Sequence, residues 1–215
     1  MENFLKEQLN SEHTKAGEHL EKFAYPWQAL AGLKGFIINL GATLDRDEYD
    51  EISPEIWVHK SVKLAHGARF CAPCIIDEGS EIRHCAFIRG SVIIGKGCVV
   101  GNSTELKNSI LFDRVQVPHF NYIGDSILGF CAHLGAGAIT SNIKCDKSPI
   151  FVNGINTGLK KLGAIVGDYA EIGCNSVLNP GTVIGMNTTV YPLSSVRGII
   201  PADSIFKIGT IVKNG

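Results

Sequence analysis

The 215-residue chain carries 20 lysines and arginines against 21 aspartates and glutamates, with a formal net charge of −1 and only 19% charged residues. That balance leaves no basic block to neutralise a phosphate backbone, which argues against nucleic acid as a partner. No apolar run reaches the roughly 18 residues a membrane-spanning helix needs. The N-terminus, MENFLKEQLNSEHTKAGEHLEKF, is charged throughout and lacks a signal-peptide core, so the chain reads as cytoplasmic. Glycine is abundant (24 residues) and aromatics are scarce (8%), which suits a regular, narrow core. Seven cysteines, an odd number, argue against a closed disulfide framework. Cys71 and Cys74 form one CxxC, but no second pair follows at zinc-ribbon spacing.

In chain order, residues 1–24 mix Leu, Glu and Lys without a strand pattern. They are followed by AYPWQALAGLKGFIINL, in which Pro26 is placed to start a helix. Residues 1–50 are thus expected to form a helical arm or linker that caps the open end of whatever follows.

From Val58 every sixth residue is large and apolar: Val58, Leu64, Phe70, Ile76, Ile82, Ile88, Ile94, Val100, Leu106, Phe112. Ten successive hits at one phase would arise by chance about three times in ten thousand. Four residues after each anchor comes a second, mostly small series, with Cys74, Ser80, Ala86, Cys98 and Thr104 among its members; it fails at Gln116. The rhythm resumes with Val166, Ile172, Leu178, Ile184, Val190 and Val196. A period of six fits neither a helix nor an alternating strand. It fits an all-β solenoid, a parallel β-helix in which three hexapeptides close one coil and successive coils stack about 4.8 Å apart. Roughly seven coils fit between residues 58 and 201. Cys74 and Cys98 fall at small inward positions, where a thiol packs as a small hydrophobe.

Two stretches break the pattern: VPHFNYIGDS, and residues 141–163, a polar Gly- and Lys-bearing insertion that is expected to project from one face. Residues 51–215 otherwise form one domain. Arg89 and Lys107 both follow an anchor one coil apart, so they should stack about 5 Å apart on one face. Stacked cations repel unless an anion lies between them, and a phosphate fits that role. The alternative is that both reach solvent beside Asp125 or Glu105. His66 and His84 also stack, but the repeat region lacks the close histidine pair of a γ-carbonic anhydrase zinc site, so no metal is expected. His119, at the break in the rhythm, is placed where a neutral imidazole accepts a proton from an amine.

The stretch GNSTELKNSILFDRVQVPHFNYIGDSILGFCAHLGAGAITSNI resembles left-handed β-helix acyltransferases. In particular it is similar to the acetyltransferase domain of bifunctional N-acetylglucosamine-1-phosphate uridyltransferase/glucosamine-1-phosphate acetyltransferase, and to related sugar-phosphate nucleotidylyltransferases with an acetyltransferase tail. Those families carry GN-x-x-E-x-K, HL-x-Y-x-GD and NIGAGTI-x-x-N in this order. The resemblance implies a left-handed coil, acetyl-CoA as co-substrate and an amino-sugar 1-phosphate as acceptor. It assigns His119 as catalytic base and Asn142 as the residue orienting the reacting groups. Arg89, Lys107 and Tyr122 match the sugar-phosphate site, with His133 in place of the family's Asn. Ala136, flanked by Gly135 and Gly137, matches the contact with the acetyl thioester, and Cys174 and Pro192 face coenzyme A. The Tyr that follows the motif's last Asn is Ile143 here, and the loop lysine falls on Ser148, with Lys144 and Lys147 close by.

A Gly-rich nucleotidylyltransferase loop is not found, although YPWQAL resembles the linker helix that joins such a domain to its β-helix. Three readings follow: an N-acetyltransferase, a sugar-phosphate-binding protein without efficient catalysis, and a β-helical scaffold. The resemblance also implies a homotrimer with active sites between subunits, and the 141–163 loop is the only segment long enough to reach a neighbour.

Overall fold

The computed structural model describes residues 7–213; residues 1–6 of the N-terminal arm and the last two residues lie outside the described residues. The chain winds as the expected left-handed parallel β-helix, with about eight turns. That is one more than the repeat suggested, because the coil continues past residue 201 into the strand Ser204–Lys207. Three flat faces form. Face one stacks Ile56, Cys74, Val92, Ser109 and Ser126, then Ala164 and Thr182. Face two stacks Lys63, Glu81, Val99, Gln116, His133, Glu171 and Thr189. Face three stacks Arg69, Phe87, Glu105, Tyr122, Ile139, Val177 and Ser195.

Inside, the anchors Ile76, Ile82, Ile88, Ile94, Val100, Leu106 and Leu178 are fully buried. Each contributes about 1.5–3 kcal/mol of hydrophobic stabilisation. Cys74 and Cys98 are fully buried beside them; burial pushes the Cys74 thiol up to about 12 and raises that of Cys98 as well. Each coil must turn sharply at its corners. Between faces two and three that turn uses a left-handed residue coil after coil, with Cys85, Ser103, Phe120, Asn175 and Leu193 at φ between 54° and 60°.

The phase of the repeat differs from the sequence reading in one respect. Leu111, not Phe112, stacks on Ile94, so the coils through Leu111 and Leu128 are 17 residues long instead of 18. Because Ile110, Leu111 and Phe112 are all apolar, the five-residue step from Leu106 to Leu111 is hidden in the sequence. It moves Ile110 and Gln116 to outward positions and puts Ser109 and Val115 inside, fully buried.

The arm is helical but does not cap the open coil. The short helix α1 (Gly17–Glu21) packs on helix α2 (Ala29–Ala42), which is entered through a 3-10 turn at Pro26–Gln28 and packs against face one. Face one turns Trp57, Ile75, Ile93, Ile110 and Ile127 outward, all buried, and Gly41 of α2 lies against the Trp57 ring. The open edge of the first coil is instead covered by Tyr49–Ser53, antiparallel to Ile56–His59. A segment before α1 runs along the corner between faces one and two, where Asn10 N–H donates to Asp168 Oδ2 (2.9 Å) and Asp113 N–H donates to the His13 carbonyl (2.9 Å). Lys15 Nζ lies 3.4 Å from Asp77 Oδ2.

Candidate active site

The strand Gln116–His119 ends face two. Asn121 then turns inward and is buried; its Oδ1 accepts from His119 N–H (3.1 Å), while its Nδ2 donates to the Gly135 and Ala138 carbonyls (2.8 and 2.9 Å). The backbone under His119 is therefore fixed. Its imidazole is exposed, with no hydrogen bond or ion pair among the described residues. Close packing demands the preceding glycine: a Cβ on Gly101 would lie 1.5 Å from the Pro118 carbonyl oxygen.

A ladder of backbone bonds carries this corner from coil to coil. Phe120 N–H donates to Asn102 O, Gly137 N–H to His119 O, Asn175 N–H to Ala136 O and Leu193 N–H to Cys174 O, at 2.9–3.0 Å. Asn102, His119, Ala136, Cys174 and Pro192 thus form one column, one residue per coil. Gly135 and Gly137 commit their N–H groups to Ile172 O and His119 O. The Ala136 N–H, unlike its two neighbours, has no acceptor among the described residues. The glycines serve by their lack of side chain, since a Cβ on Gly135 would meet Cys174 N at 2.8 Å and one on Gly137 would meet Asn175 Oδ1 at 2.2 Å.

On face two this column borders a depression of about 330 Å³ lined by His133, Gly135, Glu171, Cys174, Tyr191 and Pro192. His133 Nδ1 pairs with Glu171 Oε2 at 2.7 Å. Around the corner, face three carries the other group of residues. Arg89 and Lys107 stack on adjacent coils as expected, and of the two arrangements the spacing allowed the structure shows the one beside Glu105 and Asp125. Arg89 Nη1 lies 2.6 Å from Glu105 Oε1, and Lys107 Nζ lies 3.2 Å from both Asp125 oxygens. Each of these two charges is matched by a carboxylate on the neighbouring coil. Asn142 Nδ2 donates to Asp125 Oδ2 (2.5 Å) and to the Tyr122 hydroxyl oxygen (3.2 Å). Burial, reinforced by the nearby Asp125 and Glu105 carboxylates, raises the Tyr122 phenol, which therefore stays protonated. The Tyr122 ring folds over Gly124, where a Cβ would lie 2.5 Å from its hydroxyl.

Tyr122, Asn142 and Lys107 are thus brought together, with Arg89 one coil above. His119, Ala136, Cys174 and Pro192 form a second set at the corner, beside His133. Within one chain the two sets lie on different faces. The 141–163 insertion folds back on its own chain through Ile150, Val152 and Leu162, all buried, and ends with Leu162 N–H on Asn142 O and Gly163 N–H on Asp125 O. Lys144 Nζ donates to Ser148 Oγ (2.5 Å), whereas Lys147 is exposed. Asn121 and Asp125, the two residues that fix this geometry, escaped the sequence reading as site members. Asp125 sits in the quoted GD, and Asn121 occupies a small inward position that Ala, Ser or Thr fills in the other coils, so its larger amide was the available signal.

The family profile described as the GMPPB C-terminal domain matches residues 70–154. A bifunctional protein GlmU of Methanococcus maripaludis is 40% identical over 108 residues, which is 49% of this chain and 26% of that protein. Another, from Methanococcus vannielii, is 30% identical over 170 residues, covering 77% of this chain and 41% of the relative. A bifunctional sugar-1-phosphate nucleotidylyltransferase/acetyltransferase of Sulfurisphaera tokodaii is 30% identical over 127 residues, 57% of this chain and 32% of that one. The chain therefore spans less than half the length of these relatives. It is a hexapeptide-repeat β-helix protein related to the bifunctional GlmU proteins.

Proposed function

We propose that this chain transfers an acetyl group from acetyl-CoA to the amine of an amino-sugar 1-phosphate of the glucosamine-1-phosphate kind, a step of nucleotide-sugar biosynthesis. The observation that carries the reading is the corner column. An exposed imidazole without a partner stands on a fixed backbone, one coil from an unsatisfied Ala136 N–H. In this mechanism neutral His119 takes the proton from the acceptor amine as its nitrogen attacks the thioester carbonyl. The Ala136 N–H stabilises the oxyanion. The carbon–sulfur bond breaks, the amide bond remains, and the proton passes to the departing thiolate. Cys174 and Pro192 line the path of the pantetheine arm, with Gly135 and Gly137 clearing the backbone. Arg89, Lys107 and Tyr122 hold the phosphate, Asn142 orients the acetyl group and amine, and His133 contacts the sugar.

Assembly completes the site. Face one is covered by the chain's own arm, which leaves faces two and three, and the corner that bears His119, for contact with other subunits. A cyclic homotrimer with parallel axes would bring Lys144 or Lys147 of one subunit to His119 of the next. Release of thiol from acetyl-CoA across a panel of amino-sugar phosphates tests the activity, and no release with any of them defeats it. Mixing His119→Ala subunits with subunits lacking residues 144–160 tests the shared site: recovery of activity supports it, and no recovery on proven mixing refutes it.

A sugar-phosphate-binding protein without efficient catalysis is the second reading, favoured by His133 and the exposed Ile143 where the related acetyltransferases carry Asn and Tyr. In that case glucosamine-1-phosphate protects against unfolding but no thiol is released.

A further inference from the structure

Asp125 is a buried carboxylate that the mechanism above leaves without a role. It stands at the corner after face three with φ 49°, its side chain 6% exposed. Both oxygens accept from Lys107 Nζ at 3.2 Å, Oδ1 also accepts from Asn108 Nδ2 (2.8 Å), and Oδ2 accepts from Asn142 Nδ2 (2.5 Å). A carboxylate offers about four acceptor sites, so Asp125 is saturated and has none left for a ligand. It reaches Lys107 and Asn142 directly and Tyr122 through Asn142. Its carbonyl also accepts from Gly163, where the insertion rejoins the coil (2.8 Å).

We propose that Asp125 is the positioning residue of the acceptor site. It fixes the Lys107 ammonium and the Asn142 amide, and in doing so it offsets part of the positive charge offered to the acceptor's phosphate. The inference rests on reading this face as the acceptor site of an acetyltransferase. It has two consequences of opposite sign. Removing the negative charge leaves Lys107 unopposed and strengthens attraction for an anion. Removing the acceptor frees Asn142 to turn, which slows transfer. A carboxylate with a merely structural role would move both properties together or neither.

The test is Asp125→Asn, because asparagine keeps the shape and tolerates the left-handed backbone. Calorimetric titration with glucosamine-1-phosphate should give a Kd about three- to tenfold lower than wild type, the Coulomb effect of losing one charge about 6 Å from the phosphate at high effective dielectric. The gain should fade as ionic strength rises. In the same variant kcat should fall at least tenfold (on the order of the loss from a misoriented group), with thermal unfolding still cooperative. Parallel losses of affinity and rate, or no change in either, overturn the proposal. If Asp125→Asn fails to fold, Asp125→Ser carries the test, serine being found at φ 53° and 55° at Ser91 and Ser103: Kd should again fall together with kcat, and parallel losses of affinity and rate, or no change in either, overturn it. Wild-type protein that transfers no acetyl group defeats the acetyltransferase reading, whereas wild-type turnover beside an unaffected variant defeats this inference alone.

Discussion

Lys107→Met separates paired from repelling cations by the sign of its effect on stability. If Arg89 and Lys107 merely repelled each other, removing either would stabilise the ligand-free protein. In the structure Lys107, 27% exposed, faces an Asp125 that is only 6% exposed. Removing one partner of a buried pair costs about 3–5 kcal/mol. Here Asn108 and Asn142 still donate to the stranded carboxylate, which lowers the expected loss to about 1–3 kcal/mol. The Arg89–Glu105 pair is 44% and 32% exposed, so Arg89→Met should lose less than about 1 kcal/mol. For a chain of this size 1 kcal/mol moves Tm by about 2–4 °C, so Lys107→Met should melt clearly lower and Arg89→Met nearly unchanged. Melting at matched protein concentration, with urea titration, reads both. Adding Asp125→Asn to Lys107→Met should recover part of the loss, since the two sites are coupled. A Lys107→Met protein that melts at or above wild type, or a larger loss from Arg89→Met, would refute the reasoning. In activity assays both variants should raise KM for the phosphosugar far more than KM for acetyl-CoA, and equal effects on both would argue against a phosphate site.

Thiol mapping at pH 8 should label the exposed Cys71, Cys85, Cys145 and Cys174 and spare the buried Cys74 and Cys98, whose thiols burial holds protonated. Acetyl-CoA should protect Cys174 alone, and labelling of Cys174 that ignores acetyl-CoA would remove it from the cofactor path. Gly173→Ala places a Cβ 2.4 Å from Pro192 N and 2.7 Å from the Tyr191 carbonyl carbon. It should cost about 1–3 kcal/mol and raise KM for acetyl-CoA more than for the acceptor, which melting curves and initial rates together check.

The solenoid was legible because each of a coil's three sides needs one large inward residue, and ten successive ones fell on one phase. The coil lengths were less so. The two 17-residue coils are hidden where Ile110, Leu111 and Phe112 offer three equivalent apolar anchors. The covering of face one had a signal that an anchor series passes over: CII, VII, SIL and AIV at about coil spacing are apolar on both sides of the strand, and strands buried on both faces read as continuous apolar runs. The ladder positions of His119, Ala136, Cys174 and Pro192 follow from repeat arithmetic plus the insertion. Spacing offered the carboxylate partners, Glu105 and Asp125, only as one of two alternatives. Asp125 stands 18 residues after Lys107, but its side chain belongs to the corner beyond the strand, where a backbone at φ 49° turns it back towards the preceding coil. Spacing alone cannot report that turn.

The most direct measurement is transfer of isotopically labelled acetyl from acetyl-CoA to glucosamine-1-phosphate, with the product identified by mass spectrometry for wild type and for His119→Ala. The account predicts an N-acetylated sugar phosphate from wild type and a rate lower by about 10²–10⁴-fold in the variant, with the thermal transition unchanged. Wild-type rates in His119→Ala would contradict it.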